Sequence, residues 1–407
     1  METALAPDQR ITQFLAPFAA SAPTGYADLR AAARETLHRL PIPGTKTEAW
    51  RYTRVGKIVN RAWTIQPVGL IQKNEPLLKG SIHIDVLDGQ PQWPTHNETG
   101  LSIRSVAEEN ALCGTLSNHT TDWFEALNAA YFTSGIVLQA TGTVATPVCI
   151  SLRNSADQSA SVMRNIIHVS DHSQLNILMH LAGAADHFQS VVTEIFVGRN
   201  ATCHLDVIQE PGATLTHHVV WVNQEEKSEF TTTHLSLDGL WIRNDLNIRI
   251  SGEHCLTNLN GAYLPKGDEL VDNHTMVDHK VPDCVSNELY KGLVRDRSTG
   301  VFNGKVFVRP DAQRTNAFQQ NANIVLHETA AMYSKPELEI YADDVKCSHG
   351  STTGQFDEEA VFYLRARGIG EEKARKLLVE AFLADVVNGL FDDSVRTYCT
   401  ERIQDLM

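Results

Sequence analysis

The sequence predicts a mainly β protein with helical ends, built around a parallel β-helix. Three observations carry this reading. Apolar residues at helical spacing occur near both ends of the chain and are missing between about residues 80 and 350. Short alternating segments rich in Thr, Val, Ile and His fill that stretch, with turn residues about every 10 to 14 positions. A repeat also runs through it. Leu175, Cys203, Phe230 and Leu256 each open an alternating segment, at intervals of 28, 27 and 26, and each follows a polar turn (170–173, 198–201, 225–228 and 251–254). A coil of a solenoid cannot bury its inward side chains alone, so coils stack into one continuous core and the sequence becomes self-similar. On pattern alone a β-sandwich is the competing architecture.

The flanking elements follow from local signals. Ile11, Phe14, Leu15 and Phe18 form one helical stripe, and Leu29, Ala33, Leu37 and Leu40 form a second, which Pro41 and Pro43 terminate. An aromatic-rich link, 45–53, leads into the β region. Beyond Gly354 the texture turns helical again. Asp357, Glu358 and Glu359 suit a first turn, where the helix dipole favours carboxylates, and Gly368 suits a helix end. The next helix carries a stripe of Ala374, Leu377, Leu378, Ala381, Phe382, Val386 and Leu390, with Glu371, Glu372, Lys373, Arg375 and Lys376 on its other side. The expected division is a helical region over 1–78, the β-helix over 79–353 and a small helical domain over 354–407.

Composition removes several classes of function. Of 407 residues 42% are hydrophobic and 21% charged, which excludes wholesale disorder. Lys+Arg 35 against Asp+Glu 49 gives −14, a poor balance for a nucleic-acid binder. No apolar run reaches the roughly 18 residues of a membrane span, and the start of the chain has neither a basic nor an apolar leader segment. A cytoplasmic protein without nucleic-acid or membrane partners is the expectation. Seven cysteines, none closer than 29 residues to another, give no CxxC and no metal-finger or ferredoxin spacing. They read as reduced, mostly buried thiols. No phosphate-binding loop, HExxH, G-x-S-x-G or dinucleotide fingerprint occurs, so no ATPase, protease, esterase or dehydrogenase signature is present.

The chemistry concentrates in one segment, 335–350. On an extended strand Cys347 and His349 stand at i and i+2, so both side chains leave one face about 7 Å apart. A thiol and an imidazole so placed suit a soft metal or a sulfur species, and a protonated His349 would favour the thiolate. An iron–sulfur cluster commonly takes four ligands, so the pair would be half a site that another chain completes; the plain alternative is a buried cysteine beside a hydrogen-bonded histidine. His274, Asp278, His279 and Asp283 read as chance neighbours among 17 histidines. Asp343 and Asp344 face opposite ways on a strand, which suits a turn better than a catalytic carboxylate pair.

Residues 341–369, with Val345-Lys-Cys-Ser-His-Gly-Ser-Thr-Thr353 at their centre, closely resemble the SufB/SufD family of iron–sulfur cluster assembly proteins, on its SufD side. The likeness extends through 301–306, Gln313, Thr315, Gln319, Asn321 and Asn323, through 279–284, and through Lys46-Thr-Glu-Ala-Trp-Arg-Tyr-Thr53. SufB-type chains have His-Glu-Ala-Thr-Thr where this one has His349-Gly-Ser-Thr-Thr353, so Gly350 stands in place of a carboxylate. The resemblance implies a helical N-terminal region, a right-handed parallel β-helix and a C-terminal helical domain. It implies a non-catalytic scaffold that pairs with SufB through the β-helix, with His349 and Cys347 at the shared interface. It also implies docking of the ATPase SufC on the C-terminal helices, with Phe362, Tyr363, Leu364, Arg365 and Arg367 as candidate contacts. No metal or cofactor is expected to stay bound; a cluster would form transiently beside SufB. The rival expectations are a self-associating homodimer through the same β-helix edge without metal chemistry, and a β-helical carbohydrate-active enzyme.

Overall fold

The computed structural model describes residues 7–65, 75–109 and 111–407, with side chains from residue 11 onward. Residues 1–6 and 66–74 of the expected N-terminal region lie outside the described residues. The fold is mainly β: a parallel β-helix of stacked coils, with helices before and after it. Each coil gives one strand to a ten-stranded sheet and one to a nine-stranded sheet, so Leu215–Gln224, Glu229–Ser236, Trp241–Ile250 and Leu256–Tyr263 alternate between the two. Beyond the first coil, strands within a sheet pair in parallel and in register. Leu175 faces Cys203, and Cys203 faces Phe230.

The next partner of Phe230 is Thr257, not Leu256. The third interval of the repeat is therefore 27. Leu256 is half-buried on the outer side, and its apolar character mimics the inward series that Thr257 continues. The polar turns stack as well. One residue in each, His172, Asn200, Lys227, His254, Asp283 and Arg314, adopts a positive φ. That conformation costs about 1–2 kcal/mol for an L-residue. It is offset where the residue's amide donates into the next coil, as Asn200 does to the Glu226 carbonyl and Lys227 to that of Glu253.

Helices cover both outer faces. Helices α1 (Pro7–Ser21) and α2 (Ala27–Arg39), the short α3 (Gly56–Val59) and α4 (Trp123–Tyr131) lie on the nine-stranded sheet, where Phe14, Phe18, Leu37, Trp63 and Phe124 pack with Phe188 and Trp241. Following α5 (Glu358–Arg365), helices α6 (Glu371–Val387) and α7 (Asp393–Leu406) cover the ten-stranded sheet, with Val379, Leu383, Cys399 and Ile403 against Leu178, Ile208 and Leu235. Among the described residues no helix is long and apolar enough to cross a membrane.

Two features depart from the sequence pattern. The β region contains α4, all nine residues of which are buried, so it carries no polar face to mark it. Its first coil is also partly antiparallel, with Ile82–Leu87 against Gln90–Gln92 and Leu101–Ser105 against Ile136–Ala140. On α6 the buried row is Ala374, Val379, Leu383, Val386 and Val387, while Leu377 and Ala381 of the expected stripe face solvent. Apolar residues nearly surround this helix, so periodicity leaves its rotation open. Lys291 on the sheet helps fix it by donating to the Phe382 carbonyl at 2.7 Å and to Asp385 at 3.0 Å.

Burial holds five histidines well below their usual range: His187, His217, His218 and His279 at about 4, and His234 at about 3. His218 and His234 face each other inside the β-helix, ring centroids 5.8 Å apart, and neither ring has a hydrogen-bonding partner among the described residues. In the unfolded chain each histidine binds a proton near pH 6.5. The unfolded state therefore holds more protons as pH falls below about 6.5, and stability drops until about pH 4, where the folded state begins to protonate too. The urea midpoint is expected to be lower at pH 5 than at pH 7.5, and the double variant His218→Leu/His234→Leu is expected to narrow that gap. A midpoint unchanged between the two pH values would contradict this account.

Candidate functional site at the last coil

The stack ends abruptly. Ala331–Ile340 is the outermost strand of the nine-stranded sheet, and Lys346–Gly354 the outermost of the ten-stranded sheet. Lys346–Gly354 pairs only with Asn316–Val325, in the register Ala317 to Cys347 and Gln319 to His349. Ala317, Gln319, Asn321 and Asn323 are the buried, inward residues of their strand. Cys347, His349, Ser351 and Thr353 therefore also lie on the inward side, with no further coil to cover them. Both candidate residues do leave one face of one strand, and that face is the open mouth of the β-helix.

Their surroundings differ. Cys347 is half-buried and packs on Val306, Val308, Ala312, Ala317 and Ala342. Burial pushes its thiol up, against the opposing effect of the Ala317 amide. The expected thiolate stabilisation by His349 is thus not what governs this cysteine. His349 is exposed and lines a surface cavity of about 550 Å³ with Phe318, Gln319, Gln320, Ser348 and Gly350. A Cβ added at Gly350 would meet nothing within 4 Å, so packing does not demand glycine there.

Behind the mouth the apolar core gives way to polar side chains. Glu288, Gln319 and His349 form one inward column in register. The buried Glu288 carboxyl accepts from Thr275 Oγ1 at 2.5 Å and from Gln319 Nε2 at 2.8 Å, and burial raises it to about 7. Beside it, Tyr263 donates to Asn323 at 2.6 Å and Asn323 to Asn321 at 2.6 Å. Ser334 donates to Asn321 at 2.8 Å and lies 2.7 Å from Ser351, which joins the two edge strands. Sequence reasoning noted Gln319, Asn321 and Asn323 but missed Glu288. Its signal was available: Ser286, Glu288 and Tyr290 alternate with their neighbours as an inward set.

The second candidate group lies on a different element. On α5 only Val361 is buried; Phe362 is 72% and Tyr363 57% exposed, and Leu364 is half-buried. Arg365 pairs with Glu371 at 3.2 Å, and the Arg367 guanidinium lies 3.7 Å over the Tyr363 ring. The remaining clusters do not converge. His274 pairs with Asp272, Asp278 with Arg309, and His279 bonds Ser286 inside the core. The Asp344 amide donates to Gln313, in a turn. Glu253, His254 and Asp283 approach one another at the surface, where Arg314 already occupies both Asp283 oxygens.

An imidazole and a thiol at an open β-helix end offer two donors to a thiophilic metal and leave the rest to be supplied from outside. Residues 152–382 match the family model described as SUF system FeS cluster assembly, SufBD core domain. The chain therefore belongs to the SufBD family. It is 32% identical over 246 residues to the iron-sulfur cluster assembly protein SufD of Escherichia coli, a match over 59% of this chain and 57% of that protein. The matched region thus spans little more than half of that relative. A SufBD family protein of Mycobacterium leprae is 28% identical across 87% of this chain and 88% of its own. SufD of Bacillus subtilis is 23% identical, with 92% of each chain covered.

Six of the seven cysteines are buried and Cys347 alone is half-exposed. An aromatic disulfide reagent added to the native chain is expected to release one thiol equivalent rapidly, more slowly than a free cysteine because the Cys347 pKa is raised, and Cys347→Ser should abolish that phase. A rapid phase that survives Cys347→Ser would refute this placement.

Proposed function

We propose that this chain is one structural half of an iron–sulfur assembly scaffold in the cytoplasm, completed by a SufB-type β-helix that docks against its last coil. The observation that carries the proposal is the open end itself. Two long parallel edges stop side by side with unpaired backbone and inward residues uncovered, and the exposed histidine and half-exposed cysteine sit on one of them. An unprotected edge is a template for pairing. Charged side chains guard the nine-stranded edge, with Lys335 on Glu337 and Lys305 on Glu339. The other edge presents mostly small polar groups from Ser348 to Thr353.

His349 and Cys347 would contribute an imidazole and, as a bound metal displaces its proton to water, a thiolate; the partner would supply the remaining ligands to a cluster held only in transit. Phe362 and Tyr363 of α5, Arg367 just after it and Leu377 of α6 would dock the ATPase SufC. Aromatic and arginine side chains are common anchors of such contacts. Nucleotide would then reach the seam only through its differential affinity for two arrangements of the complex.

Reconstitution with SufB and SufC tests both surfaces. His349→Ala is expected to reduce iron and sulfide uptake at least tenfold while SufC still co-purifies. Phe362→Glu with Tyr363→Glu should lose SufC and keep SufB. Wild-type uptake by His349→Ala would sink the seam assignment. The same edge can pair with its own copy, so light scattering is expected to show a dimer for the chain alone that converts to a heterodimer when SufB is added.

A further inference from the structure

The coil period brings together two cysteines that the sequence holds 29 residues apart. Cys255 and Cys284 each stand one residue ahead of a strand, and those strands pair in register, Leu256 with Val285. The Val285 amide donates to the Cys255 carbonyl at 2.9 Å, which locks the two coils together at this position. Strands in a sheet lie roughly 4.8 Å apart, inside the range of about 4.4–6.8 Å between α-carbons that a disulfide accepts. The side chains turn the same way. Both thiols reach one acceptor, the Gly252 carbonyl, at 3.1 Å from Cys255 and 3.4 Å from Cys284.

We propose that Cys255 and Cys284 are a redox-modification site, closing a reversible disulfide between consecutive coils. A peroxide is the oxidant. One sulfur attacks a peroxide oxygen, the O–O bond breaks, and a sulfenic acid and a water result. The second sulfur then attacks the sulfenic sulfur, expels hydroxide and delivers its proton to it. Two thiols and hydrogen peroxide thus become one disulfide and two waters, with both electrons drawn from sulfur. A dithiol reductant reverses the step by exchange. The order of events has a physical basis. The neighbouring Cys284 thiol, with Ser228 Oγ 3.5 Å from Cys255 Sγ, favours the Cys255 thiolate despite burial, while Cys284 is pushed up, so Cys255 is the first nucleophile.

Cys255 is 1% and Cys284 0% exposed. The 251–254 turn covers them, with exposed Glu253 and His254, the latter at a positive φ of 60°. Both thiols are buried, which sets them apart from half-exposed Cys347.

The test uses the full chain carrying Cys347→Ser, so that six thiols remain. It is exposed to dilute hydrogen peroxide under native conditions, then unfolded, alkylated and mapped by peptide mass. Loss of two of six alkylatable thiols is expected, with a cross-linked peptide joining Cys255 to Cys284 that dithiothreitol dissolves. Cys255→Ser and Cys284→Ser should each abolish the cross-link, and Cys203→Ser should keep it. Six thiols still free, a cross-link between other cysteines, or closure only after urea unfolding would overturn the proposal. Peptide mapping of the parent chain decides the matter even where a serine variant folds poorly.

Discussion

The in-register parallel ladder governs this molecule. Because each strand bonds to the strand one coil before and one coil after, every inward position becomes a column running along the β-helix axis. What a column contains decides what the core is at that depth. In the first coils the columns are mostly leucine, isoleucine and valine, and in the middle coils buried polar residues, His218 and His234 among them, join the apolar ones. In the last coils the columns change to Glu288–Gln319–His349 and Tyr290–Asn321–Ser351. The ladder then stops. At this end the two outermost strands leave their outer edges unpaired, and His349 and Cys347 lie on one of them.

This arrangement separates rigidity from chemistry. The middle coils are buried on both faces, by helices outside and by the core inside, so they resist local opening. The terminal strand Lys346–Gly354 has one neighbour and mostly exposed side chains. The least supported strand is thus at the place where the proposed partner would dock. The α5 surface follows directly after that strand, so the two proposed contacts are joined by a few residues of backbone.

The fold class was legible because turns and strands recur at the coil period, and because the helical ends keep 3.6-residue stripes. Phe14, Leu15 and Phe18 are buried as that spacing requires. Helix α4 was not legible, since a helix buried on all sides has no stripe, and neither was the rotation of α6. The single-face placement of Cys347 and His349 followed from strand geometry alone. That this face is the inner one, and uncovered, did not: it depends on the strand being last, which no local pattern records. Glu288 escaped for a related reason, because its meaning comes from Gln319 and His349 beside it in space, 31 and 61 positions further along the sequence. The Cys255–Cys284 pair was hidden likewise, as a spacing of 29 signals nothing until the length of a coil is known.

The Tyr52 and Tyr333 rings stack at 3.9 Å, and Lys335 of the same edge strand pairs with Glu48 at 2.6 Å. The 45–53 link is itself riveted further along the spine: the Arg243 guanidinium lies 4.5 Å over Trp50 and donates to the Ala49 carbonyl, while Thr53 bonds Asp272. A segment from the beginning of the chain thus buttresses the outermost strand from behind, like a bracket under a shelf. Whatever leans on that shelf also loads the bracket, so the 45–53 segment would share mechanically in a contact made at a strand far along the sequence from it.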